Sequence, residues 1–224
     1  ISGVGQSVYS TEWDNTYGFK SGTSMSGPGV AGTVAQIYER YKQLYAGHNP
    51  ESALIRALVC NTADDVGNEG PDYKYGFGQI NGLKAVEVLE AGTWVVDTIT
   101  QGAQNALSVN IPSGTVEARF MLAWTDIPGN INSAQSLVND LDLFLTNGTD
   151  TIYPWILDMN NPNGLAVRGE DHINNIVQIT VDTPAAGNYM IVVEGETVTN
   201  AGQVYALVYQ TSMPEIVVTY PFGG

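Results

Sequence analysis

The run Gly22-Thr23-Ser24-Met25-Ser26-Gly27-Pro28 places a hydroxyl between a glycine-bearing loop and the first turn of a helix. A helix begins with amides that lack an internal acceptor, and its dipole is positive at that end. An oxyanion forming beside Ser24 is therefore stabilised there, which is what acyl transfer to a serine needs. Gly22 lets a backbone approach closely, while Gly27, Gly29, Ala31 and Gly32 leave room for the helix to pack deep in a core. On local physics alone the same serine also reads as an ordinary helix cap.

A second set of residues offers oxygen ligands. Asp126, Asn139, Asp140 and Asp142, with Glu170 and Asp171 of the same type, suit calcium, and Asp126, Asp140 and Asp142 are the leading metal candidates. Alternating carboxylates on a strand describe a solvated face equally well. The loop carrying Asp64, Asp65, Asn68, Glu69 and Asp72 could also hold an ion, although it lacks the twelve-residue EF-hand spacing. His48 and His172 each fall in a polar loop and read as solvated side chains. Cys60, within an apolar helical run, reads as a packed thiol.

The elements that must position these groups follow from periodicity. A strand near residues 7–10 leads to a helix reaching about Tyr45, whose face is Val30, Val34, Ile37, Tyr41 and Leu44, with Gly47 to end it. Asn49 and Pro50 suggest a cap and first position for a second helix ending at Cys60. A third helix is predicted over 82–90, with Gly92 beyond it. After Thr93 the chain becomes rich in β-branched residues. Strand-like runs at 94–100, 106–111, 116–124, 138–146, 173–181, 189–194 and 204–209 alternate with turn clusters, as in an antiparallel sandwich. Leu141, Leu143 and Leu145 share one face of such a strand, and Asp140 and Asp142 share the other. Asn147-Gly148-Thr149 reads as a hairpin turn, though it also fits a glycosylation acceptor.

Length and composition bound what such a chain does. Its 224 residues allow one to two domains, and the shift near Thr93 sets the expected boundaries at 1–95, 96–212 and a tail at 213–224. With 43% hydrophobic and 14% charged residues it is a globular sequence. Eight Lys and Arg against 23 Asp and Glu give a net charge of −15, which excludes nucleic acid and anionic membrane as favoured partners. One cysteine excludes an internal disulfide. The first residues lack the basic and apolar regions of a signal peptide, so the numbering is expected to start inside a longer protein.

Taken in order, GVGQSVYST, YGFKSGTSMSGPGVAG, NPESALIRALVCNTA and YGFGQINGLKAVE resemble the C-terminal third of a subtilisin-like serine protease. The family pattern GTSMAxP, a residue that is often histidine, then VAG, stands here as GTSMSGPGVAG, with Ser26 for alanine and Gly29 for that histidine. The run is not the G-x-S-x-G elbow of α/β-hydrolases, because Ser26 occupies the last glycine's place. The resemblance implies an α/β fold, namely the C-terminal part of a parallel-sheet domain. It makes Ser24 the nucleophile with its own N–H as one oxyanion donor, and Lys20, Ser21, Gly22 and Thr23 the lining of the substrate cleft. LAWTD and LVNDLDLFLTNG resemble the all-β, jelly-roll-like sandwich of some large subtilases, related in form to the P-domain of proprotein convertases.

The family's histidine base, orienting aspartate and oxyanion asparagine belong to segments that do not occur here, and by the match His48 lies far from the Ser24 hydroxyl. A serine without a base is a weak nucleophile. The chain alone is therefore expected to be inactive. Its expected partners are an N-terminal part of the same protease carrying those groups and a protein or peptide substrate. The resemblance further implies secretion and a structural Ca²⁺. The alternative is a non-catalytic binding or scaffold protein acting through the sandwich.

Overall fold

A computed structural model describes residues 1–133, 135–199 and 201–214. A hairpin of β1 (Val8–Thr11) and β2 (Tyr17–Lys20) is followed by α1 (Thr23–Leu44), α2 (Ser52–Asn61) and α3 (Gly82–Ala91). Strands then follow without further helix: β3 (Trp94–Ile99), β4 (Gln104–Ile111), β5 (Glu117–Trp124), β6 (Asp140–Thr146), β7 (Thr151–Ile152), β8 (Trp155–Ile156), β9 (Val167–Arg168), β10 (Ile176–Asp182), β11 (Gly187–Thr197) and β12 (Gln203–Ser212). The expected tail lies outside the described residues from position 215 onward.

Two four-stranded antiparallel sheets carry the second part, in the orders β10-β5-β12-β3 and β4-β11-β6-β7. They share a core in which Phe120, Leu122, Trp124, Ile179 and Leu207 of the first meet Leu141, Leu143, Leu145, Ile191 and Val193 of the second. The alternation in β6 therefore acts as expected, with its leucines inward. In β5 the alternation fails for a physical reason. Its other face, with Met121 and Ala123, packs together with Ala206 and Val208 of β12 against Ile37, α2 and α3, so the strand is buried on both sides. Arg56 ties the layers together, its Nη2 donating to the Trp124 carbonyl at 2.5 Å. Arg119 of β5 pairs with Glu117 and donates to the Ala63 carbonyl at 2.6 Å.

The helical part departs from expectation in three places. The parallel sheet does not appear among the described residues. Instead β1 pairs antiparallel with β2, and Ser2 makes a single parallel bridge with Gln79. Parallel strands need crossovers that bring neighbours alongside, and residues 1–92 provide one layer of helices instead. The second helix starts at Ser52 with Glu51 as its cap, leaving Asn49 and the buried Pro50 ahead of it. On α1, Leu44 is exposed, and Tyr45 takes the inner position, its ring 4.5 Å from that of Tyr41 and 5.4 Å from that of Trp94. Gly47, at φ 81°, closes α1 by donating to the Lys42 carbonyl at 2.7 Å. Asn81 caps α3, and Gly92 ends it in the left-handed region.

Candidate active site

Ser24 is the second residue of α1 and is exposed. Gly22 turns the chain from β2 into the helix at φ 147°, a conformation that favours glycine. Its amide donates to the Gly5 carbonyl at 2.7 Å, and its own carbonyl accepts from Met25 at 3.0 Å and Ser26 at 3.3 Å. A Cβ at Gly5 would stand 2.8 Å from the Gly22 oxygen, so the first residues of the chain lie directly against the helix start. The Thr23 and Ser24 amides belong to the first turn, which has no internal acceptors to offer them. Pro28 falls four residues after Ser24 and has no amide to give its carbonyl.

The residues expected on the substrate side gather at this one junction. Lys20, Ser21, Gly22 and Thr23 are all exposed beside Ser24. Lys20 is paired with Glu12 at 2.7 Å, and the Ser21 hydroxyl accepts from the Ser7 amide at 2.8 Å. No base reaches the hydroxyl, because among the described residues the Ser24 side chain has no hydrogen-bond partner. His48 follows the far end of α1, about 30 Å away at 1.5 Å per helical residue. Cys60 is buried, and burial pushes its thiol up, away from nucleophilic use. Small residues of α1 are not packed as expected. A Cβ at Gly27, Gly29 or Gly32 meets nothing within 4 Å, so α1 has open space at all three positions among the described residues. Val4, Tyr9, Tyr17 and Phe19 of the N-terminal segment and hairpin are also exposed, the Tyr9 ring stacking 5.6 Å from Tyr17.

The oxygen-bearing candidates separate into distinct settings. Asp126 is taken up by backbone, accepting from Ile127, Val138 and Asn139 amides at 2.7–2.9 Å. Asn139 is likewise engaged, with Gln203 and Thr199. Asp140 and Asp142 do come together, and they are joined by His172, which sequence reasoning left as a solvated loop residue. Ligand atoms of the three lie within 4.8 Å of one another. His172 Nδ1 is 2.8 Å from Asp140 and 4.0 Å from Asp142. Burial, and then the neighbouring Asp140 charge, push the Asp142 carboxyl up to about 6. Burial raises Asp140 as well, against the opposing pull of His172. For His172, burial acts downward but the Asp140 bond outweighs it, raising the imidazole. A separation of 32 residues between partners leaves no periodic trace that could have announced this pairing.

In the 64–72 loop the three aspartates already have protein donors. Asp64 pairs with Lys84 at 2.7 Å, and Asp65 accepts from the Gly70 amide at 2.8 Å. Asp72 accepts from the amides of Asn68, Lys74 and Tyr75 at 2.7–3.0 Å. Burial acts to raise the Asp72 carboxyl, but the Tyr75, Asn68 and Lys74 amides outweigh it and hold it below the usual range. A depressed folded-state value gives stability that is present above the unfolded carboxylate range, near about 3.9, and is lost as pH falls through the folded value. We expect Asp72→Ala to cost about 1–3 kcal/mol at pH 7 and to flatten the acid limb of stability. Urea unfolding of both proteins between pH 2 and 7 measures this.

Comparison with known proteins matches residues 3–78 to the subtilase family. Subtilisin DY of Bacillus licheniformis is 40% identical over 81 residues, which are 36% of this chain and 26% of that protein. Thermitase of Thermoactinomyces vulgaris is 34% identical over 87 residues, 39% of this chain and 28% of that protein. A serine protease/ABC transporter B family protein of Dictyostelium discoideum is 28% identical over 179 residues, 74% of this chain, so the likeness extends into the strand-rich part. The chain spans 10% of the length of that relative and about a quarter of the two bacterial ones.

Proposed function

We propose, on the match of residues 3–78 to the subtilase family, that this chain is the C-terminal part of a subtilisin-like serine endopeptidase, with Ser24 as its nucleophile. The observation that carries this reading is the placement of an exposed Ser24 hydroxyl in the first turn of α1, beside amides that have no internal acceptor. The Ser24 oxygen attacks the peptide carbonyl carbon while a base takes its proton. The tetrahedral oxyanion is held partly by the Ser24 amide. Collapse breaks the C–N bond, the amine leaves with the proton, and water then hydrolyses the Ser24 ester. A protein or peptide substrate runs past Lys20, Ser21, Gly22 and Thr23.

The base, its orienting aspartate and the oxyanion asparagine come from an N-terminal part of the same protease, which binds this chain. Support for that partner is the open space around α1 at Gly27, Gly29 and Gly32, together with the exposed Val4, Tyr9, Tyr17 and Phe19. The two sheets form a jelly-roll-like β-sandwich, an accessory domain that also seats α2. Secretion fits a fourth relative, an extracellular serine protease of Serratia marcescens, 38% identical over 65 residues. Among the described residues no helix is long and apolar enough to cross a membrane.

Mixing tests this reading. The chain alone should hydrolyse a peptide substrate no faster than buffer, and adding the upstream part of the protease should restore hydrolysis. Hydrolysis by the purified chain alone, or none by a stable stoichiometric complex, would contradict it.

A further inference from the structure

The acidic face of β6 carries a cluster of ligand-type side chains that the reading of Ser24 does not use. Asp140, Asp142 and His172 are flanked by Glu170, Glu194 and Glu196, which with Asp142 and His172 line a cavity of about 340 Å³. Glu194 stands directly opposite Asp142 in the β11–β6 ladder, an arrangement of like charges that disfavours the pairing. Among the described residues no lysine or arginine forms an ion pair with any of these carboxylates. Asp140 is only 9% exposed, and its Oδ1 is buried without a hydrogen-bond partner. A buried carboxylate oxygen left in this state is costly unless something binds it.

Calcium, the ion that the family resemblance implies, does not fit this set. It takes six to eight oxygen ligands, whereas Asp126 and Asn139 are committed to protein groups and the third member here is an imidazole. We propose that Asp140, Asp142 and His172 bind a divalent transition cation of the zinc class, with the remaining coordination position open to the cavity. Imidazole and carboxylate are zinc ligands at 2.0–2.2 Å, which puts tetrahedral neighbours about 3.3 Å apart. The distances of 2.8 Å and 4.0 Å from His172 Nδ1 to the two aspartates straddle that value, and all three ligand atoms lie within 4.8 Å of one another. His172 Nε2 lies 3.9 Å from Glu170, so the ring nitrogen turned away from the ion has a carboxylate within reach, the partner that orients a metal-bound histidine.

The test uses the whole chain, stripped with EDTA and titrated with Zn²⁺, Co²⁺ and Ca²⁺ by calorimetry and thermal unfolding. One Zn²⁺ per chain is expected, with visible d–d absorption of tetrahedral type when Co²⁺ binds. His172→Ala and Asp142→Asn are each expected to weaken Zn²⁺ binding by more than about 100-fold, exceeding the loss caused by removing an outer-shell partner. His172 is exposed, so its alanine variant should fold and far-UV circular dichroism should match the parent. Zn²⁺ affinity unchanged in His172→Ala overturns the proposal. So does Ca²⁺ binding as tightly as Zn²⁺, or the absence of binding by either ion.

Discussion

Ser24→Ala in the assembled protease should lower peptide hydrolysis by about 10⁶-fold, the scale on which a triad enzyme loses kcat when its nucleophile is removed. The reason lies in the order of construction at the β2–α1 junction. Gly22 holds a backbone angle that leaves Ser24 at the second position of a long helix. The first-turn amides and the dipole serve an oxyanion there. Alanine keeps that helix start intact and removes only the oxygen. KM and complex formation with the upstream part should therefore change little. A loss of only tenfold, or a variant that no longer binds the upstream part, would show that Ser24 acts in assembly instead of chemistry. Titration of the purified complex with a peptide substrate, comparing kcat and KM separately, distinguishes these results.

Trp124→Ala should be the most destabilising single truncation in the strand-rich part, at about 3–5 kcal/mol. The ring is fully buried in the core between the two sheets, and its Nε1 donates to the Asn139 carbonyl at 2.9 Å. On the same residue the backbone carbonyl accepts from Arg56 of α2 and from Asn175. The substitution thus opens a cavity and strands a buried carbonyl at the point where the helices, β5 and the start of β6 meet. Trp124→Phe keeps most of the volume and loses only the N–H, for about 1–3 kcal/mol. Urea unfolding followed by circular dichroism measures both. If Trp124→Ala cost under 1 kcal/mol, the inter-sheet core would not be what holds the strand-rich part together.

Local signals in the sequence located most elements. Helix α3 has its Asn81 cap and Gly92 stop, α1 ends at Gly47, and the β6 leucines alternate toward the core. Asn147 accepts from the Thr149 and Asp150 amides, making the turn that its dipeptide with Gly148 implies. Tertiary context decided the rest. Asp140 belongs to the outward face of β6 by period, yet it is buried because His172 and the ends of β11 close over it. β5 shows no clean alternation because α2 covers the face that an isolated pair of sheets would leave wet. Gly27, Gly29 and Gly32 of α1 read as packed in sequence, whereas a Cβ at any of them meets no neighbour among the described residues. At the catalytic candidate, motif chemistry singled out Ser24 and its flanking residues, and among the described residues no side chain bonds the Ser24 hydroxyl.

The most direct measurement is denaturing intact mass of the natively purified protein after exposure to a fluorophosphonate probe, with Ser24→Ala as control. The expected result is that an upstream chain co-purifies and that the probe mass adds to this chain only when Ser24 is present. An unlabelled chain in a complex that contains the upstream part, or label that persists in Ser24→Ala, would contradict the assignment of Ser24 as nucleophile.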